Sequence, residues 1–263
     1  MPDVLALAEG LSVGYGRDVV VGGIELRLSR GETIALVGVN GSGKSTLLKT
    51  LAGLLPPLEG RVEIVGAEPL AQPERVAYLG QFHPTSMALP LRAVDVVRMA
   101  RFSALGLFGR FGRDDEAAVW RALRAMDADS LADLPLNRLS GGQRQRVFIA
   151  QALAREADLL LLDEPAAGLD AQATGTYRRL VRAAADEGSA VVVATHDIDE
   201  AAACDATMLL ARRVVACGPS AEVLSPAALL ATFGVIGRYR EGGLVAVGRE
   251  HGHGDACDDH EER

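Results

Sequence analysis

Gly38-Val39-Asn40-Gly41-Ser42-Gly43-Lys44-Ser45-Thr46 carries the spacing GxxxxGK followed by a hydroxyl residue, a pattern that binds the phosphate chain of a nucleotide. Glycines let successive backbone N–H groups turn inward around phosphate oxygens, and the helix that follows adds the positive end of its dipole. Lys44 then meets the β- and γ-phosphates, and the Ser45 hydroxyl is placed to ligate Mg²⁺. The chain's one other lysine is Lys49, so a glycine-rich turn with an incidental solvated lysine is a poor account of Lys44. Further along, the apolar run Leu159–Leu162 meets Asp163 and Glu164, two carboxylates at a strand end, where α/β sheets put their ligand crevice. Asp163 would hold Mg²⁺ through water, and Glu164 would act as general base toward the attacking water. His196 closes the apolar run Val191–Thr195 and could reach the γ-phosphate from there. Alone, such a histidine is more often structural than catalytic.

Positioning these groups requires an α/β fold. Thr33–Val37, Asp158–Leu162 and Ala190–Ala194 are apolar runs of the kind that form buried parallel strands. Val4–Glu9, Ile24–Leu28 and Arg61–Val65 alternate or are β-branched, as antiparallel strands are. Val76–Leu79 is a further strand, and Thr46–Ala52 is the helix after the glycine loop. Between about 82 and 157 strand signals give way to helical patterns such as Asp114–Met126 and Gly141–Leu153, which predicts a helical subdomain within a domain spanning 1–240. The stretch 241–263 turns to glycine, histidine and acid and reads as a flexible tail.

Composition narrows the function classes. The 263 residues are 49% hydrophobic with a formal net charge of -8, and that acidity argues against nucleic acid as the main partner. Apolar stretches fall well short of the roughly 18 residues of a membrane span, and the N-terminus lacks a secretory pattern. A soluble or peripheral protein on the cytoplasmic side is the expectation. Cys204, Cys217 and Cys257 are odd in number and lack a CxxC spacing, which leaves no disulfide framework.

Leu139-Ser140-Gly141-Gly142-Gln143, followed by Arg144 and Arg146, is not predicted by phosphate-loop logic. With it the chain resembles the ATP-binding cassette (ABC) ATPase family, whose signature this pentapeptide matches. The resemblance covers about Val4 to Phe233 and implies a phosphate-loop fold with a mixed β core, an antiparallel β subdomain and a helical subdomain. It implies that Tyr15 stacks on adenine, that Gln81 couples the metal and water to a membrane partner, and that Asp170 communicates between two sites. It implies, too, that Ser140, Gly141, Gly142 and Gln143 face the γ-phosphate of ATP held by an opposite subunit. Two chains, most simply a homodimer, would then be needed for two ATP sites, with ATP and Mg²⁺ as cofactors. A single cassette without a span implies separate permease subunits docking on the helical region near Gln81–Phe102, with Phe82, Met87, Leu89 and Leu91 as candidate contacts. An extracytoplasmic substrate-binding protein would complete an importer.

For the substrate, Asp95–Arg101, Gly106–Arg110 and Arg146–Asp158 are similar to the manganese, zinc and iron importer ATPases, and siderophore and haem importers share part of this pattern. His251, His253, Cys257 and His260 among Asp255, Asp258 and Asp259 supply groups that bind first-row divalent metals; an acidic solubilising terminus is the competing reading. The expected function is ATP hydrolysis powering import of a divalent metal. The alternatives are an ABC ATPase for a siderophore, haem or another solute, and a soluble non-transport ABC ATPase. Two features depart from the family pattern: Ala167-Gly168 stands where many members have serine and alanine, and Phe82–Ser86 lacks the tryptophan associated with many metal-type members.

Overall fold

The computed structural model describes residues 3–81, 91–105, 109–233, 237–240 and 243–246. Two sheets share one helix between them. The larger holds β3 (Thr33–Val37), β5 (Val76–Leu79), β6 (Leu159–Asp163), β7 (Ala190–Thr195), β8 (Ala206–Leu210) and β9 (Val214–Pro219), in the spatial order β5-β6-β7-β3-β8-β9. All neighbours are parallel except β9, which runs antiparallel to β8. Every residue of β3, β6 and β7 is buried, which is why these runs show no polar alternation. Because β6, β7 and β3 are parallel neighbours, the loops leaving their C-terminal ends open on one edge. Those loops carry Glu164, His196 and the glycine loop respectively.

The smaller sheet is antiparallel, in the order β2-β1-β4, from β1 (Val4–Tyr15), β2 (Asp18–Ser29) and β4 (Glu59–Ile64). β1 is longer than its alternation predicts. Register shifts against β2 around Gly10, whose φ of +57° suits glycine, re-phase the side chains partway along. The helix α1 (Lys44–Leu51) lies between the sheets: its Leu47, Leu48 and Leu51 pack with Leu5, Leu11 and Ile24 on one side and Leu36 and Leu161 on the other. Each such leucine contributes about 1.5–3 kcal/mol on burial, so the helix that fixes Lys44 and Ser45 is held from both faces. β6 starts one residue later than the apolar run suggests, because Asp158 is taken up by ion pairs to Arg30 at 2.6 Å and Arg75 at 2.7 Å.

Three helices, α2 (Ala93–Leu105), α3 (Arg113–Ala125) and α4 (Gly141–Ala154), lie between β5 and β6 in the chain. Their buried Val97, Val119, Leu123, Met126, Val147 and Ile149 run without a break into Leu160, Leu162 and Val193 of the large sheet. Arg101 ties the group together, reaching Asp115 at 3.0 Å and Glu156 at 2.8 Å. On the sheet's flank α5 (Ala171–Asp186), α6 (Ile198–Ala202), α7 (Ser220–Val223) and α8 (Pro226–Phe233) follow, and a hairpin of β10 (Gly237–Arg240) and β11 (Gly243–Ala246) comes last. Among the described residues no helix is long and apolar enough to cross a membrane. The expected contacts Phe82, Met87 and Leu89 and the metal-ligating side chains of the tail fall outside the described residues.

Candidate active site

The glycine loop folds as its spacing requires. A Cβ at Gly38 would lie 2.2 Å from the Leu210 carbonyl oxygen, and one at Gly43 would lie 2.3 Å from Val21, with φ at +110°. Neither position admits a side chain. The loop borders an open cleft of about 600 Å³ lined by Tyr15, Val20, Asn40 to Thr46, Gln81, Glu164 and Arg212. Tyr15 is half exposed at the end of β1 and lines the cleft.

Lys44 is buried, and its ammonium donates to the carbonyl oxygens of Gly38 at 2.7 Å and Val39 at 3.3 Å. Burial pulls its pKa below the usual lysine value, while Glu164 and Asp163 push it back up. The Glu164 carboxylate stands 4.0 Å from the Lys44 ammonium and 4.0 Å from Nδ1 of the exposed His196. Glu164 owes this position to its backbone. Its φ is +50°, and its N–H donates to the Ala194 carbonyl of β7 at 2.9 Å, a left-handed conformation that costs about 1–2 kcal/mol for a residue other than glycine. Strain of that kind collects at functional sites.

Asp163 is buried at the C-terminal end of β6, next to Glu164. Burial raises its pKa above the usual carboxylate value, opposed by a hydrogen bond from Ser45 and by the Lys44 and Lys49 charges, and reinforced by Glu164. Its Oδ1 has no hydrogen-bond partner. A buried, unpartnered carboxylate oxygen beside a serine hydroxyl is an oxygen-donor set suited to a hard cation such as Mg²⁺.

The remaining sequence-predicted residues gather elsewhere. Ser140 caps α4, its Oγ accepting from the Gln143 N–H at 3.2 Å while the Gln143 side chain accepts from the Ser140 N–H at 2.9 Å, a capping box. Asp170 caps α5 with its side chain alone, accepting from the Ala173 N–H at 2.8 Å. The two caps are neighbours within the chain: Gln145 donates to the Pro165 carbonyl at 2.7 Å, and a Cβ at Gly142 would sit 2.8 Å from the Gly168 carbonyl oxygen. Ser140, Gly141, Gly142, Gln143 and Asp170 do not line the cleft. The chain thus brings Tyr15, the glycine loop, Gln81, Asp163, Glu164 and His196 together and leaves the signature segment apart.

Sequence reasoning did not find Arg212, on the turn after β8, because no motif surrounds it. It did not find the buried polar group below the His196 loop either. There Asp197 caps α6 and accepts from Arg178 at 2.6 Å, and Glu200 and Tyr177 are buried together. Burial raises the pKa of both.

Comparison with known proteins gives this geometry its context. Residues 21–167 match the family described as ABC transporter. The chain is 40% identical over 256 residues to a hemin import ATP-binding protein, HmuV, of Streptomyces coelicolor, covering 93% of this chain and 90% of that one. It is 35% identical over 212 residues to the manganese transport system ATP-binding protein MntB of Listeria monocytogenes, covering 80% and 88%. Among solved structures, an inward-facing conformation of a metal-chelate type ABC transporter superposes with a TM-score of 0.79 at 28% identity, over 94% of this chain and 98% of that one. A phosphate loop facing a strand-end glutamate, on a fold shared nearly end to end with these proteins, makes the chain an ATP-hydrolysing member of the ABC transporter family.

Proposed function

We propose that this chain is the ATPase subunit of an importer for a divalent metal ion, acting on the cytoplasmic face of the membrane with two copies bound to separate permease subunits. The observation that carries the enzymatic part is the convergence of Lys44, Glu164 and His196 at one edge of the sheet. The metal part rests on the manganese relative and on the metal-type flanks Asp95–Arg101 and Arg146–Asp158.

In this reading the N–H groups of residues 39 to 46 and the N-terminus of α1 take the phosphate oxygens. Lys44 exchanges its contacts with the Gly38 and Val39 carbonyls for the β- and γ-phosphates. Tyr15 stacks on adenine. Glu164 accepts the proton of the attacking water, and His196 holds the γ-phosphate from the neighbouring strand end. Ser45, Asp163 and Gln81 would hold Mg²⁺, which offsets phosphate charge when bound. The buried Asp163 Oδ1 without a partner supports that assignment. Ser140 to Gln143 and Asp170 serve the site of the second copy, since they stand outside the cleft of their own chain. An extracytoplasmic binding protein would deliver the metal.

A second reading, import of a chelated metal such as haem, is favoured by the 40% identity to the hemin import protein. The test is ATP turnover of the chain assembled with its permease and binding protein, with Mn²⁺, Zn²⁺, Fe²⁺ and haem offered separately. Stimulation by one free ion supports the first reading. Stimulation by haem alone moves the substrate to the second, and turnover that ignores every ligand refutes both.

A further inference from the structure

The turn between β8 and β9 sits against the phosphate loop. Leu210 pairs with Val214 across it, leaving Ala211, Arg212 and Arg213 as the connection, and the Arg212 N–H donates to the Ser42 carbonyl at 3.2 Å. In three-residue hairpin connections the left-handed position is usually glycine. Here it is Arg212, with φ at +56°. The residue that strains this turn is one that lines the cleft.

The charge of Arg212 is uncommitted among the described residues: no carboxylate lies within ion-pair distance of it. Lys44, by contrast, faces Glu164 and Asp163. Arg212 is anchored at Ser42, on the loop ahead of Lys44. Two cations therefore serve one cleft from separate anchor points, one buried and one exposed at the rim.

We infer that Arg212 is a nucleotide-binding residue whose guanidinium pairs with the part of the phosphate chain common to ATP and ADP, while Lys44 spans the β- and γ-phosphates. This rests on the nucleotide reading of the cleft. The anion recognised is a nucleoside di- or triphosphate, and the guanidinium suits phosphate oxygens through its fork of donors. Because the contact is exposed, salt weakens it. Because it is made equally to substrate and product, it sets affinity and leaves the chemical step alone.

The experiment measures the affinities of the full-length chain for ATP and ADP, with steady-state KM and kcat, for wild type, Arg212→Gly and Arg212→Lys, beside Lys44→Ala. Arg212→Gly relaxes the left-handed turn, so its melting temperature should hold or rise. Its affinity for ATP and ADP should nonetheless fall together by about fivefold to tenfold, with kcat unchanged and the deficit shrinking as NaCl is raised. Arg212→Lys should recover part of the loss. Unchanged affinity of Arg212→Gly for both nucleotides, with Lys44→Ala impaired, overturns the role of Arg212 alone. A loss confined to ATP overturns its placement. Unchanged affinity in Lys44→Ala as well overturns the nucleotide reading beneath it.

Discussion

The two glycine-rich helix starts of this chain are built in opposite ways. At α1 the loop borders a cleft through residues 40–43, and the cap residue Gly43 makes no side-chain cap. At α4 the cap is complete: Ser140 and Gln143 satisfy each other's backbone N–H groups. One start is open and borders a cleft shared with Gln81 and Glu164; the other is closed by its capping box and lies beside the cap of α5, outside that cleft. A capped helix N-terminus keeps its dipole while its first turn stays in fixed shape, so α4 offers a preformed positive end that lies outside the cleft of its own chain. On the proposed function, the difference separates what one copy would do, which is bind nucleotide, from what a second copy would add, which is to complete the site.

The sharpest way to break this contrast is at Glu164. Glu164→Gln should lower phosphate release by about a thousandfold while ATP binding persists, measured by coupled turnover and calorimetric titration in parallel. Turnover near wild type would remove Glu164 from the chemistry. Next, Lys44→Ala should weaken ATP binding by tenfold to a hundredfold, the equivalent of about 1.5–3 kcal/mol for hydrogen bonds to a charged group. A wild-type isotherm would contradict the open-start assignment.

The closed start is tested by mixing. Ser140→Arg should bind ATP normally as a single chain yet be inactive, and so should differ from Lys44→Ala. Random pairing of the two inactive variants should restore about a quarter of wild-type turnover, because mixed pairs hold one intact composite site. Recovery absent from the mixture would mean that each chain works alone.

The smallest effect compares two buried carboxylates, Asp163 at the end of β6 and Glu200 on α6, both raised in pKa by burial. A folded-state value above the unfolded one means that the folded state binds the proton more tightly. Stability from Glu200 is therefore highest below about 4.5 and declines as pH rises from there toward the raised folded value. Glu200→Gln should flatten that decline in thermal melts and raise the melting temperature at neutral pH by on the order of 2 °C, with turnover intact. Asp163→Asn shares the stability trend but should abolish Mg²⁺-dependent turnover. Loss of turnover in Glu200→Gln would place that carboxylate in the chemistry.

Much of the cleft was legible because its residues are read locally. Gly38 to Thr46 specify their own turn and helix, and Asp163 with Glu164 announce a strand end by following four leucines. The buried strands β3, β6 and β7 emerged nearly to the residue, since a strand covered on both faces has no reason to alternate. What stayed hidden depends on pairings far apart in sequence. Arg212 reaches the cleft only because β8 lies beside β3. The left-handed turn of Glu164 depends on the carbonyl of Ala194, and nothing in the residues near Glu164 signals it. The length of β1 was missed because a bulge at Gly10 interrupts the period-two signal that strands are recognised by.

The position of β3 in its sheet also governs when the site comes into being. Thr33 pairs with Val191 and Ile34 with Ala206, so the strand that supports the phosphate loop has no sheet partner until most of the chain has been made. At ordinary synthesis speeds that delay is roughly ten to thirty-five seconds. During it the loop leaves the ribosome with its sequence complete and its scaffold missing. Nucleotide gains a binding site only once β7 and β8 have closed around β3, and from then on cellular ATP favours the finished fold by mass action.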